Sequence, residues 1–287
     1  MFCALLLYNV DMDMQIITSL SNAHVKCVRG LKQKKNRIEA GLFIADGDLL
    51  TIEALQSGAD VAEVLVCESK TEAFSEILNL ARAGNVPIVC VAEHVMEKLS
   101  DTVSPQGIAA LVRLPDFSLP KPKGGLVCLL ESVADPGNVG TIIRTADAVG
   151  ADAVILCGEC ADAYAPKTVR ATMGSIFHLP VVHAKDACET AKFYKMQGYC
   201  AVGTHLHGKD AFDPNVVWQK KTLLVTGSEA RGMSAELSEL CGVLLKLPMP
   251  GAAESLNAAV APGIFAYTWL RLSYRLGRNE RKSRTCV

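Results

Sequence analysis

The sequence predicts an α/β protein in two units, the larger built on a mostly parallel sheet with helices on both faces. Three observations carry that expectation. Apolar runs of strand length alternate with amphipathic segments along most of the chain. The run 126–130 is apolar throughout, the pattern of a central strand covered on both faces. Between the two alternating blocks, residues 114–125 hold three prolines and two adjacent glycines, a linker composition.

The first unit is expected over 15–113. Ser21 or Asn22 is placed to cap a helix carrying Val25, Val28 and Leu31. A strand over 42–45 ends at an Asp46-Gly47 turn, and a helix over 48–56 ends near Gly58. Then follow a strand over 61–67, a helix over 71–83, a strand over 87–91, a short helix over 93–99 and a strand over 108–112.

The second unit is expected over 126–277. After the strand at 126–130 come a helix at 138–149, a strand at 153–157, a helix from Pro166 to about 173 and a strand at 179–182. A helix at 186–197 and strands at 199–204 and 223–226 lead to a Gly-rich turn, a helix from Ser234 and a last strand at 243–247. Pro262-Gly263 falls inside the terminal helix. An interior proline costs about 3 kcal/mol, so either the helix kinks there, which is the expectation preferred, or a short first piece ends and a new helix starts at Pro262. Residues 278–287 form a basic tail.

Composition narrows the class of function. The chain has 287 residues, half of them apolar, and a net charge of −1. Local charge is uneven. Lys26, Arg29, Lys32, Lys34, Lys35 and Arg37 occur with no acid between 26 and 37, and the tail carries Arg271, Arg275, Arg278, Arg281, Lys282 and Arg284. Such clusters on a neutral chain suit directed binding of nucleic acid; a solvated helix face and a frayed tail remain the alternative. Eleven dispersed cysteines fit reduced thiols and a cytoplasmic location. Cys157 and Cys160 make a C-x-x-C without the second pair of a zinc ribbon, and His205 and His207 suit a surface loop, so no metal is expected. Residues 1–13 hold a short apolar run without a preceding positive charge, neither a signal peptide nor a membrane span, and Met14 is a candidate natural start.

Three stretches carry the chemistry. The first, 135–146, follows an apolar strand and opens a helix; it presents Asn138, Gly137 and Gly140 near the helix start and Arg144 further along. The second, 227–233, sets Gly227 directly after a strand, where a ligand could approach the backbone, and Glu229 on a tight turn. The third, 247–271, leaves a strand at Leu247, turns through Pro248, Met249, Pro250 and Gly251, and presents Ser255, Leu256 and Asn257. Each alone reads equally as an ordinary strand–turn–helix connection.

Together and in this order, they resemble the SpoU/TrmH family of the SPOUT RNA methyltransferases. The matching patterns are N-x-G-x-x-x-R-T-A, G-x-E-x-x-G-M and L-P-M-x-G-x-x-x-S-L-N-x-x-V-A. The first unit resembles the L30e-like substrate-binding domain often fused in front, although Asp46 stands where glutamate is usual. The resemblance implies a C-terminal SPOUT domain with a deep trefoil knot, S-adenosylmethionine as cofactor, a homodimer without membrane contact, and 2′-O-methylation of a ribose in structured RNA. Ribosomal RNA is the expected substrate; transfer RNA, or RNA binding without catalysis, are the alternatives.

The same resemblance implies roles. Arg144, Asn138, Glu229, Ser255 and Asn257 are expected at the catalytic centre, with Glu229 fixing the arginine or the asparagine and Arg144 acting close to the partner subunit's cofactor. Thr204, Gly227, Leu247, Met249 and Leu256 are expected to contact the cofactor. Lys26, Arg29, Lys32, Lys34, Lys35 and Arg37 are expected to hold RNA phosphates. A Rossmann enzyme is disfavoured because G-x-G-x-x-G and its downstream ribose acid are missing.

Overall fold

The structure, a computed structural model, describes residues 16–253 and 255–283, with side chains as far as Arg271. The candidate start at Met14 and the tail side chains from Arg275 onward lie outside the described residues. The chain divides into two units, one reaching Asp116 and including Asp162–His178, the other made of Phe117–Ala161 and the residues from Leu179 onward.

In the first unit, α1 (Ala23–Gly30) is capped by Asn22, whose side chain accepts from the His24 N–H at 2.8 Å. The basic stretch is two helices rather than one. The chain turns at Leu31, which is fully buried, and α2 (Lys34–Ala40) follows, closed by Gly41 at φ 65°. The strands are β1 (Leu42–Asp46), β2 (Val61–Cys67), β3 (Ile88–Val91) and β4 (Ile108–Arg113), in sheet order β1-β4-β2-β3. Strand β4 runs antiparallel to β1 and β2, and β2 parallel to β3. Helices α3 (Asp48–Gln56), α4 (Ser75–Ala83) and α5 (Glu93–Leu99) complete the order. The expected helix over 71–83 is shorter, because a separate turn occupies Glu68–Lys70 and α4 starts only at Ser75.

Strand β1 is buried along its whole length. Leu42 and Ile44 join α1 and α5 in one core, and Phe43 points the other way. Phe43 meets Tyr164 edge-on at 5.0 Å and stacks on Phe177 at 6.1 Å. Tyr164 and Phe177 flank α7 (Pro166–Thr172), so the segment 162–178, expected in the second unit, covers the core of the first. Polar pairs add to this: Arg37 with Asp162 at 2.6 Å, Arg170 with Asp101 at 3.3 Å and His178 with Glu53 at 3.1 Å.

In the second unit, β5 (Leu126–Glu131), β6 (Ala153–Cys157), β7 (Val181–His183), β8 (Cys200–Asp210), β9 (Thr222–Thr226) and β10 (Val243–Lys246) form one parallel sheet in the order β10-β8-β9-β5-β6-β7. Strand β5 is central and buried, as its apolar run requires. Helices α8 (Ala187–Met196) and α9 (Ala235–Leu240) pack together on one face, and α6 (Pro136–Ala148) packs with α10 (Val260–Ser283). The end of the expected linker is anchored here: Tyr194 Oη donates to the Pro120 carbonyl at 3.0 Å, and the Gly124 N–H donates to Tyr199 Oη at 2.9 Å.

Two expectations fail in this unit. Strand β8 continues to Asp210, and its register against β10 jumps from Gly203↔Leu244 to Lys209↔Leu245, so residues 204–208 leave the ladder. The expected kink at Pro262 is missing. Helix α10 starts at Val260 and runs unbroken, which puts Pro262 in its first turn, where the absent N–H has no partner to lose.

Candidate active site

The site lies at the carboxyl edge of the parallel sheet, where β5, β8, β9 and β10 end. Asp135 caps α6 by accepting the Asn138 N–H at 2.9 Å, and Pro136 opens the helix. This holds Asn138 in the first turn, beside the end of the sheet. After β9, Ser228 and Gly232 exchange backbone hydrogen bonds at 3.0 and 2.9 Å and close a tight loop with exposed Glu229 near its tip. After β10 the chain returns across the sheet to Asn257, just before α10.

These motifs meet through side chains. Asn138 Nδ2 donates to Glu229 Oε1 at 2.9 Å, and Asn257 Nδ2 donates to Asn138 Oδ1 at 3.1 Å. Asn257 Oδ1 accepts the Ala259 N–H at 2.8 Å and so caps the start of α10. The direction of the chain is fixed at one end. An ionised carboxylate only accepts, so Asn138 must turn its amide nitrogen to Glu229 and its oxygen to Asn257.

Arg144 does not join this cluster. It is exposed on α6, and no described side chain pairs with its guanidinium. Six residues of helix separate it from Asn138, about 9 Å along the axis and a third of a turn around it. Ser255 is exposed beside Leu256, which is 37% exposed.

The expected cofactor residues gather at the same edge. Thr204 begins the excursion from β8, and Gly208 ends it pressed against the β10 backbone: a Cβ there would come within 2.6 Å of Leu244. Leu247 and Met249 follow β10 half-buried. Gly227 is also required by its own loop. A Cβ at Gly227 would lie 2.1 Å from the Gly232 and Met233 backbone, so the glycine lets its own loop fold back. Next to it, Thr226 is 5% exposed and its hydroxyl has no hydrogen-bond partner. A buried hydroxyl left in that state costs about 1–3 kcal/mol, which a polar ligand at the edge would relieve.

The remaining polar candidates resolve differently. Arg37, expected among the RNA contacts, is 3% exposed; it donates to the Leu31 and Lys32 carbonyls at 2.6 and 3.0 Å and to Asp162. It is a structural residue, because no phosphate can reach a buried guanidinium whose two terminal nitrogens already have acceptors. Lys26, Arg29, Lys34 and Lys35 are exposed; Lys32 is exposed too, with Nζ donating to the Lys98 and Ser100 carbonyls at 3.2 and 2.6 Å. Asp46 is buried and accepts from Ser100 Oγ at 2.5 Å. Cys157 and Cys160 are free thiols; burial pushes Cys157 up to about 12 and raises Cys160, which makes both poor nucleophiles. Among the described residues no group of His, Cys, Asp and Glu is placed to hold a metal ion.

On the α6–α10 side lies an open groove of about 600 Å³, lined by Thr141, Thr145, Phe212, Val260, Tyr267 and Arg271 among others. Phe212, Val260 and Tyr267 are each about half exposed, at 50%, 48% and 52%. Gly263 brings α10 close to Thr145 of α6.

Two family models match the chain. The SpoU rRNA Methylase family matches residues 125–267, and the MRM3-like substrate binding domain matches residues 22–110. A 23S rRNA (guanosine(2553)-2'-O)-methyltransferase of Bacillus subtilis is 35% identical over 88% of this chain and 98% of its own length. The SpoU methyltransferase AviRb of Streptomyces viridochromogenes, solved in complex with AdoMet, is 31% identical, covers 88% of this chain and 98% of its own, and superposes with a TM-score of 0.80. An AdoMet-bound rRNA methyltransferase from Sinorhizobium meliloti is 34% identical, with 90% and 97% coverage and a TM-score of 0.76. With relatives this similar matched over nearly their whole length, and with the three motifs joined at one sheet edge, the chain belongs to the SpoU rRNA methylase family.

Proposed function

We propose that the protein transfers a methyl group from S-adenosylmethionine to a ribose 2′-oxygen of ribosomal RNA. The observation that carries this reading is the hydrogen-bonded chain Glu229–Asn138–Asn257, which draws one residue from each of three distant motifs to the sheet edge. Two of the similar relatives, matched over 98% and 86% of their own length, are named 23S rRNA 2'-O-methyltransferases, which favours ribosomal over transfer RNA.

Thr204, Gly227, Leu247, Met249 and Leu256 would hold the cofactor by backbone and apolar contact, and the unpaired Thr226 hydroxyl fits a polar group of such a ligand. When bound, the cofactor supplies a methyl group already activated by its sulfonium. The chain then has to align the ribose oxygen and manage its proton. Alignment contributes up to about 7–11 kcal/mol when geometry is good. Asn138, oriented by Glu229, is suited to the ribose–phosphate, and Ser255 and Asn257 to the edge where it enters. A guanidinium is a poor base; Arg144 instead clamps a phosphate and turns the 2′-hydroxyl, with the proton passing to phosphate or water.

The enzyme works in this reading as a homodimer. The groove along α6 and α10 exposes apolar side chains next to Arg144's helix, and the offset of Arg144 from Asn138 suits an arginine that completes a second copy's site. The trefoil knot belongs to the same reading: the chain leaves edge strand β10 and comes back to Asn138 past β8 and β9. Lys26, Arg29, Lys32, Lys34 and Lys35 offer the first unit's positive charge to RNA phosphates. No helix among the described residues is long and apolar enough to cross a membrane. We assign the protein to the cytoplasm, where reduced thiols persist.

The test is methyl transfer from labelled S-adenosylmethionine to an unmodified 23S ribosomal RNA transcript, with the product mapped for ribose methylation. A single 2′-O-methylated nucleotide is expected. Methylation of a base, or of transfer RNA alone, would overturn the reading.

A further inference from the structure

The loop carrying Glu229 crosses the end of the sheet from one face to the other, and both of its anchors are visible. On the α6 face it is tied by Glu229 to Asn138. On the opposite face it ends at Ser234, the cap of α9, whose side chain accepts the Leu237 N–H at 3.3 Å. There the carboxylate of Glu131 takes both donors of one residue: the Ser234 N–H at 2.7 Å on Oε2 and the Ser234 hydroxyl at 2.8 Å on Oε1.

Glu131 is itself firmly held. It is the last residue of the central strand β5 and alternates with Val127 and Leu129, which face α8 and α9 in the core. The next residue, Ser132, has φ 58°, a left-handed conformation that non-glycine residues rarely adopt. It is fixed by its N–H donating to the Cys157 carbonyl at 3.0 Å and its Oγ accepting the Glu159 N–H at 3.2 Å. Because Ser228 and Gly232 lock the loop on itself, fixing Ser234 also fixes how far Glu229 can reach.

We infer that Glu131 is a positioning residue for the methyl-transfer site: through Ser234 it sets the loop from which Glu229 orients Asn138. The inference rests on the reading of Glu229 and Asn138 as site residues. Glu131 touches neither of them in the hydrogen-bond network; its effect passes through the loop.

A double-mutant cycle tests this on the full-length protein with S-adenosylmethionine and an unmodified 23S ribosomal RNA transcript. Glu131→Ala is expected to lower kcat about tenfold with little change in KM for RNA, and Glu131→Gln, which keeps one acceptor oxygen, to recover part of the loss. In a Glu229→Ala background, adding Glu131→Ala is expected to cost nothing further, because the group it positions is gone. Equal losses in both backgrounds would overturn the inference alone, since the clamp would then act on the fold and not through Glu229. Full activity of Glu229→Ala by itself would overturn the site reading and this inference with it. Should Glu131→Ala fail to fold, Ser234→Ala carries the same cycle.

Discussion

Asn138 is the donor and Glu229 the acceptor in their 2.9 Å hydrogen bond, and that polarity decides which way every amide in the site points. Asn138→Asp keeps the shape but replaces the donor with a second carboxylate. Two carboxylates at that distance cannot both ionise, so one is held protonated above its usual range. The variant is expected to lose most activity at pH 8 and regain part of it, relative to the parent, as pH falls toward 5. A pH profile of the variant-to-parent rate ratio checks this; a flat ratio contradicts it.

If Arg144 serves the partner's site, two strongly impaired variants should complement each other. A mixed dimer of Arg144→Ala and Glu229→Ala chains holds one site with both lesions and one with neither. Random reassociation makes half the dimers mixed, so the mixture is expected to regain about one quarter of parent activity. Activity after denaturing and refolding the two chains together is the measurement. No recovery would place Arg144 at its own chain's site.

Basic residues close in sequence should behave in opposite ways. Lys34→Ala with Lys35→Ala removes two exposed charges and is expected to weaken RNA binding, lowering the slope of log affinity against log salt by about 1.4–1.8. Arg37→Ala leaves Asp162 without its buried partner and is expected to destabilise the fold by about 3–5 kcal/mol. Filter binding across salt concentrations and urea unfolding distinguish the two.

Alkaline pH should unfold the protein through its buried thiols. Burial holds Cys128 and Cys157 at about 12, against 9.0 for the free group, so above pH 9 they ionise in the unfolded chain and stay protonated in the folded one. The unfolded state then binds fewer protons, and stability falls as pH rises from 9 toward 12, by at most about 1.4 kcal/mol per pH unit for each thiol. Urea midpoints between pH 8 and 11 measure the slope, and Cys128→Ala with Cys157→Ala should flatten it.

What the sequence made legible was local. The strand at 61–67 and the helices at 48–56 and 93–99 stand at the expected bounds; Gly47 and Gly58, at φ 116° and 79°, mark the two ends of the first helix. Glu229 was legible as the residue that fixes Arg144 or Asn138, and it holds Asn138; the bond from Asn257 to Asn138 was not legible, since nothing local encodes a contact across 119 residues. Arg37 was misread because charge in a basic run looks exposed until its acceptors are known. Pro262 was misread because it was taken for an interior residue of the helix, whereas it lies in the first turn. Glu131 gave no signal at all: an acid ending a strand is unremarkable until Ser234 is found beside it.

The aromatic seat of Phe43 bears on how the protein is made. Its ring is closed over by Tyr164 and Phe177, and Arg37 waits for Asp162, 125 residues further on. During synthesis, the first unit therefore emerges with that face of β1 uncovered, although α3 and α4 already close the rest of it. It stays so until β5, α6 and β6 of the second unit have followed it out. Its folding cannot finish before the other unit's has begun, and a chain cut at the 114–125 linker would release an amino-terminal piece with an open, sticky face.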